Sequence, residues 1–330
     1  MEQSASLSAV FIGQGTLLVR CAEVFLAAGH RVSAVISSEP RIQDWASARS
    51  IPHLAPATDL AGALTRTLAG GAFDYLFSVA NMRLVPADFL ALPRRGAVNF
   101  HDALLPKYAG AHATSWAILN GETVHGVTWH EMTEVVDAGR LLKQRRVDVA
   151  PDETAVSLNA KCYEAGIESF AELVQDLTAG TPAFDDPRLA ERTYFPLYKR
   201  PTAAGVLFWH RPATELSALA RALDFGPSPN PLGLPKIDLG DAVLLAPRVE
   251  VLAARSQEAP GTVVAMDDAG LVVATGTNDV RLAPVMTIDG RLLVPADLAG
   301  RYGVRVGMRL PRLAASVAPQ PTLAACAASH

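Results

Sequence analysis

The stretch Leu7–Ser8–Ala9–Val10–Phe11–Ile12–Gly13–Gln14–Gly15 decides the fold. A short apolar run meets a tight Gly-x-Gly turn, residues 17–28 then carry a helical pattern that stops at Gly29, and residues 32–36 form a second apolar run. Strand, turn, helix and strand make a βαβ unit, so the two strands are expected to be parallel members of one sheet. As a dinucleotide fingerprint the turn is incomplete. It lacks the third glycine, and no acid closes the second strand at the required spacing, so a plain strand-to-helix turn is preferred over NAD binding.

Working outward, residues 42–49 and 60–68 read as helices, residues 51–54 as an extended piece and residues 73–79 as a central strand. The exit of that strand, Asn81–Met82–Arg83–Leu84–Val85–Pro86, falls at the C-terminal edge of a parallel sheet, where open α/β folds bind ligands. Next comes Val98–Asn99–Phe100–His101–Asp102–Ala103–Leu104–Leu105–Pro106–Lys107–Tyr108–Ala109–Gly110. Its start reads as the end of a buried strand, and Pro106 forbids regular continuation. Residues two apart on a strand share a face, so Asn99 and His101 can look into one cleft. An amide can donate to a developing oxyanion, and an imidazole can carry a proton near neutral pH. Asp137, in Glu134–Val135–Val136–Asp137–Ala138–Gly139, supplies a carboxylate able to fix the imidazole tautomer and stabilise its charged form.

The pattern N-x-H-x-x-L-L-P-x-Y-x-G followed by D-x-G resembles the folate-dependent formyltransferase family. The resemblance implies that Asn99, His101 and Asp137 catalyse transfer of a formyl group from 10-formyltetrahydrofolate to an amine, with no metal. It further implies folate contacts at Met82, Arg83 and Leu84, matching a loop that lines the pteridine pocket in the glycinamide ribonucleotide branch, and at Val135 and Val136. Gly13, Gln14, Tyr108, Gly110 and His112 are the implied acceptor contacts. Ala103 departs from the family, where many members carry Ser.

Further along, residues 113–120 read as a helix, 126–132 and 141–149 as strands, and 155–177 as a long amphipathic helix with Leu158, Cys162, Ile167, Phe170 and Val174 facing the core. His125 and His130 are five apart, which misses the i, i+4 spacing of a helical metal pair and suggests strand-face roles. Beyond the Pro-, Asp- and Arg-rich stretch 181–204, short strands alternate with turn signals, as in a small antiparallel barrel. The expected fold is therefore α/β, a doubly wound, mainly parallel sheet followed by a small oligonucleotide-binding-like β-barrel. The expected domains are a catalytic part at 1–180, a linker at 181–204, a barrel at 205–315 and a flexible tail at 316–330. A C-terminal barrel also occurs in the methionyl-tRNA branch of the resembled family.

Composition narrows the function. With 330 residues, 50% hydrophobic and 19% charged, the chain is long enough for about two domains with sizeable cores. The net charge of −4 argues against a broad nucleic-acid footprint. Residues 196–330 hold 13 Lys and Arg against 11 Asp and Glu, a weak electrostatic surface for RNA. The connection after the second strand is short, whereas initiator-tRNA enzymes carry a long basic insertion there. The three cysteines are scattered without C-x-x-C spacing, so no disulfide framework or zinc site is expected, which suits a reducing cytoplasm. No apolar run reaches the roughly 18 residues of a membrane span. The stretches around Lys107–Trp116, Thr128–Thr133 and Asn159–Gly166 look closest to the formyltransferase domains of nonribosomal peptide synthetases. That points to an amino acid or carrier-protein-bound amine as acceptor, with possible downstream synthetase domains as partners. Hydrolysis of 10-formyltetrahydrofolate, methionyl-tRNA or amino-sugar formylation, and a non-catalytic docking role are the alternatives.

Overall fold

A computed structural model describes residues 6–311. The tail expected at 316–330 lies outside the described residues. The chain forms two compact units. The first is built from residues up to Ala113 together with Val124–Asp148 and Asn159–Leu197, the second from Thr114–Thr123, Val149–Leu158 and the residues from Tyr198 on.

The first unit centres on a seven-stranded sheet. Its strands are β1 (Ser8–Gly13), β2 (Arg31–Ile36), β3 (His53–Leu54), β4 (Tyr75–Val79) and β5 (Gly96–His101). After a short β6 (Ala109–Gly110) outside this sheet come β7 (Val124–Glu131) and β8 (Leu141–Asp148). The order is β3-β2-β1-β4-β5-β7-β8. β1, β2, β3, β4 and β5 run parallel, whereas β7 is antiparallel to β5 and β8 to β7. As expected from the opening stretch, β1 lies between β2 and β4.

Both sheet faces are covered, which follows from the near-continuous apolar runs of the central strands. On one face, α1 (Gly15–Ala27) and α6 (Ala155–Ala179) send Phe25 and Phe170 onto Phe11 and Phe77, with ring centroids 5.0–6.1 Å apart. On the other, Val10, Ile12 and Leu76 pack with Leu60 and Leu64 of α3 (Leu60–Thr67) and Phe89 of α4 (Ala87–Leu90). Truncating one of these buried rings to alanine costs about 3–5 kcal/mol. A second short helix, α2 (Pro40–Ser47), follows β2.

The stretch expected as a linker is ordered in part as a strand of the first unit. β9 (Tyr194–Phe195) pairs in parallel with β6, and Asp185 bridges Leu141 at the start of β8. Composition hid this. Proline-rich chain reads as a connector, but backbone groups of residues 193–195 find partners in β6 and its neighbours.

The second unit holds α5 (Ala113–Leu119) apart from its first residue, and α7 (Ala213–Ala222). It also contains two four-stranded sheets with antiparallel pairing, a small barrel-like domain. One joins β10 (Lys236–Asp238), β11 (Val243–Leu245), β16 (Val285–Met286) and β17 (Leu292–Leu293). The other joins β12 (Val249–Val251), β15 (Val280–Leu282), β14 (Gly270–Val273) and β13 (Val263–Asp267). Leu216, Ile237, Leu244, Val263, Leu271 and Leu282 lie in their common core. The sequence reads as strands at 241–245, 249–253, 261–266, 270–274 and 279–282, so β10, β16, β17 and the closing helix α8 (Pro295–Tyr302) have no counterpart in that reading. The strands are two or three residues long, too short to show a period. Among the described residues no helix is long and apolar enough to cross a membrane.

Gly13 shows why the first turn needs glycine. Its φ is +146°, and a Cβ there would meet the Val79 carbonyl oxygen at 1.8 Å, so any side chain separates β1 from β4. Gly13→Ala should therefore lower stability by about 2–5 kcal/mol, read as a drop in the midpoint of chemical unfolding with the slope unchanged.

Candidate active site

Three parallel strands end where the candidate residues lie. Gly13 ends β1 and Gln14 follows it, Met82, Arg83 and Leu84 follow β4, and Asn99 and His101 close β5. Antiparallel β7 then sets His130 directly opposite Asn99 and Thr128 opposite His101.

His101 is buried, and its Nε2 lies 2.8 Å from the carbonyl oxygen of Tyr108. A carbonyl can only accept, so Nε2 carries a proton and the other ring nitrogen, Nδ1, is left to the carboxylates. That nitrogen faces Asp137 Oδ2 at 3.7 Å and Asp102 Oδ1 at 3.9 Å. Asp137, itself almost buried, accepts from the Gly110 amide at 2.7 Å and places Oδ1 3.4 Å from His130 Nε2. Burial alone would push the Asp137 carboxyl up. The charge of His101, the hydrogen bond and charge of His130 and the Gly110 amide outweigh that cost and hold it well below the usual carboxylate range. Asp137 is thus ionised at neutral pH.

Asn99 is half-buried, with its Nδ2 3.1 Å from His130 Nε2. His130 Nδ1 lies 2.8 Å from the Glu131 carbonyl and so bears a proton, which leaves Nε2 to accept from the Asn99 amide when the ring is neutral. When the ring is charged, the same nitrogen donates toward Asp137. His130 is 2% exposed and belongs to the site. The sequence reading gave it a strand-face role because only the β5–β7 register reveals that it stands opposite Asn99. Asp102 carries no such signal either, because nothing in the sequence pattern aims its carboxylate at Nδ1 of His101.

The other candidates take different places. Tyr108 contributes its carbonyl to His101 while its ring is buried, stacked on Phe195 with centroids 5.5 Å apart. Gly110 contributes its amide to Asp137. Val136 neighbours Asp137 and gives its carbonyl to Arg192 Nη2 at 2.8 Å. Met82, Leu84 and Val135 are exposed, an apolar set on two loops. Arg83 is held by Asn81, whose side chain accepts from the Arg83 amide and donates to its carbonyl. His112 is half-buried, in the left-handed region at φ +59°. At the first turn, the Gln14 amide donates to Val79, and the Gly15 amide reaches both oxygens of Glu39 at 3.1 Å. The start of α1, a natural seat for an anion, is occupied by the chain's own carboxylate. Among the described residues no group of three or more His, Cys, Asp and Glu is arranged to hold a metal ion.

The Asp137 carboxyl makes a testable contribution to stability. A pKa depressed by folding stabilises fully above the unfolded value, about 3.9, and that gain is lost as pH falls through the folded value. The difference in Tm between the wild-type chain and Asp137→Asn should be steady from about pH 6 to pH 5 and should move in the variant's favour below about pH 4, measured by differential scanning calorimetry.

Comparison with known proteins agrees with the geometry. Residues 9–174 match the formyl transferase family, and residues 201–301 match the formyl transferase C-terminal domain. The methionyl-tRNA formyltransferase of Acidithiobacillus ferrooxidans is 33% identical over 268 residues, 81% of this chain and 82% of that protein. That of Desulfotalea psychrophila is 30% identical over 313 residues, 91% of this chain and 94% of the relative. Among solved structures, HypX from Aquifex aeolicus in complex with tetrahydrofolic acid superposes with a TM-score of 0.64 at 17% identity, over 92% of this chain and 48% of its own. The sugar 3N-formyl transferase WlaRD, solved with dTDP and 5-N-formyl-THF, gives 0.64 at 16% identity, over 84% and 98%. An N-formyltransferase from Helicobacter canadensis, in complex with folinic acid and dTDP-3-aminofucose, gives 0.64 at 18% identity, over 84% and 99%. These likenesses share the fold, and with the sequence matches they establish that the chain belongs to the formyl transferase family, carrying both its N-terminal and its C-terminal domain.

Proposed function

We propose that the protein moves a formyl group from 10-formyltetrahydrofolate to the amine of an amino acid or a carrier-bound aminoacyl group, in nonribosomal peptide biosynthesis. The observation that carries the reaction class is the joining of Asn99, His101 and Asp137 at the end of β5, with Asp137 ionised. Exposed Met82, Leu84 and Val135 fit a flat aromatic cofactor that needs apolar cover, and HypX and WlaRD, with the same fold, were solved with folates. The folate supplies an activated formyl carbon and a leaving nitrogen.

The chain's own groups do the rest. Asn99 presents its amide to the oxygen on which negative charge grows as the amine attacks, and protonated His101 adds a second positive partner. Asp137, 3.7 Å from His101 Nδ1, stabilises the imidazolium and takes the proton that the amine releases, directly or through water, and passes it to the donor nitrogen as that nitrogen's bond to the formyl carbon breaks. In its neutral form His130 accepts from the Asn99 amide and holds it in orientation.

The acceptor follows from less direct observations. The stretches around Tyr108, Trp129 and Tyr163 look closest to synthetase formyltransferase domains, and Glu39 fills the anion seat at α1 where a phosphate-bearing acceptor could dock. Methionyl-tRNA is the second reading, favoured by the names of the 30–33% identical relatives. The near balance of charge over residues 196–330 weighs against it.

A panel of free amino acids, carrier-bound aminoacyl groups, amino sugars and initiator methionyl-tRNA, each with 10-formyltetrahydrofolate, separates these readings. Formate release without any acceptor would instead mark a hydrolase. With the preferred acceptor, Asn99→Ala, His101→Ala and Asp137→Ala should each lower kcat by about 100-fold or more while circular dichroism and folate affinity stay near wild type. Three variants at wild-type rate would place the chemistry elsewhere.

A further inference from the structure

Residues 192–195, Arg-Thr-Tyr-Phe, lie between the two stretches that match the family, 9–174 and 201–301. We propose that they form a positioning strap for the catalytic residues, with Thr193 and Arg192 as its two working side chains. The proposal rests on the reading of Asn99, His101 and Asp137 as catalytic.

Two backbone groups fix the site: the Tyr108 carbonyl that takes the His101 Nε2 proton, and the Gly110 amide that donates to Asp137. Neither sits on the main sheet. Both belong to the short stretch after β5 that runs into β6; Tyr108 is held in the left-handed region at φ +59°, and Gly110 at φ +100° takes a conformation that few residues but glycine adopt. A stretch like that holds one geometry only if its surroundings over-determine it.

The strap supplies those surroundings. Thr193 Oγ1 accepts from the Tyr108 amide at 2.7 Å, and the Thr193 carbonyl accepts from Ala109 at 2.9 Å. The Phe195 carbonyl accepts from Ala111 at 2.8 Å, and its ring stacks on Tyr108 at an interplanar angle of 7°. The fit against Gly110 is close, since a Cβ there would meet the Phe195 carbonyl oxygen at 2.2 Å. On the other side Arg192 donates to the Val136 carbonyl at 2.8 Å, one residue before Asp137, which is itself left-handed at φ +51°. The Arg192 guanidinium lies over the Tyr194 ring, 4.8 Å from its centroid, which fixes the direction of that bond. One four-residue segment therefore holds the acceptor of the His101 proton, the donor to Asp137 and the backbone of the loop that presents Asp137. An ordinary edge strand would add stability without bearing on the tautomer of His101.

The test uses the full chain with Thr193→Val, which keeps the size and removes the acceptor, Thr193→Ser, which keeps the acceptor, and Arg192→Gln. Nitrogen-15 NMR of the His101 imidazole at pH 8 reads which ring nitrogen carries the proton and needs no acceptor amine. Steady-state kinetics read formyl transfer to whichever amine the wild-type chain uses. The expected result is an Nε2-protonated His101 in the wild type and Thr193→Ser, and a mixture of tautomers in Thr193→Val. With it should come a loss of about 10- to 100-fold in kcat for Thr193→Val and Arg192→Gln, at little change in KM for the folate. Thr193→Val and Arg192→Gln with the wild-type tautomer and kcat, and merely a lower Tm, would overturn the proposal. A wild-type chain that transfers no formyl group to any amine would remove the catalytic reading, and the tautomer measurement would still decide the strap.

Discussion

A nearly buried carboxylate that must stay charged is the constraint on which the first unit depends. Moving an ion such as the Asp137 side chain out of water costs several kcal/mol even after relaxation, and the protein repays that with three fixed partners. The Gly110 amide is the shortest contact at 2.7 Å, and His130 and His101 follow at 3.4 and 3.7 Å. Each partner arrives from a different part of the chain: the turn after β5, strand β7 and the end of β5. A carboxylate held this way cannot relax toward solvent, so its field stays fixed on His101. The pairing adds little to stability, because a well-packed apolar group in the same space would cost less to bury.

The switch from parallel to antiparallel pairing brings those parts together. Had β7 joined β5 in parallel, a crossover would separate them and His130 would not stand across from Asn99. Antiparallel pairing instead fixes a cross-strand pair, Asn99 with His130, beside a second, His101 with Thr128. Thr128 in turn receives the amide of Leu105 and gives its proton to the Ala103 carbonyl at 2.6 Å, pinning the loop that follows His101. A threonine on one strand thus orders the path of the chain leaving the other.

Much of this was legible in the sequence, for identifiable reasons. The parallel strands announce themselves because strands buried on both faces are continuous apolar runs, as in Val10–Phe11–Ile12 and Leu76–Phe77. That Asn99, His101 and Asp137 would come together could be read because their spacing is fixed by local chain geometry around Pro106 and by a glycine soon after Asp137. What escaped depends on register or on distant pairing. His130 is meaningful through its partner across the sheet, Asp102 through the direction of one side chain, and residues 192–195 through hydrogen bonds to residues 56 and 85 positions earlier. The two-residue strands β16 and β17 carry no period at all, so the second barrel sheet was seen only in part.

Much of the backbone strain in the first unit lies around the candidate site. Of the six non-glycine residues in left-handed conformations among its described residues, Tyr108, His112 and Asp137 lie on the loops that build or border the site and Ala80 follows β4 directly, whereas Ser50 and Ala69 lie elsewhere. Each such residue costs on the order of 1–3 kcal/mol. Together they weigh as much as a large share of the net stability of a typical domain. The compensation is local and visible in the Asp137, Gly110, Thr193 and Arg192 contacts. Carboxylate and strained loops therefore support each other. The strained turn aims the Gly110 amide that keeps Asp137 ionised, and the ionised Asp137, by accepting that amide, holds the turn in the conformation that aims it.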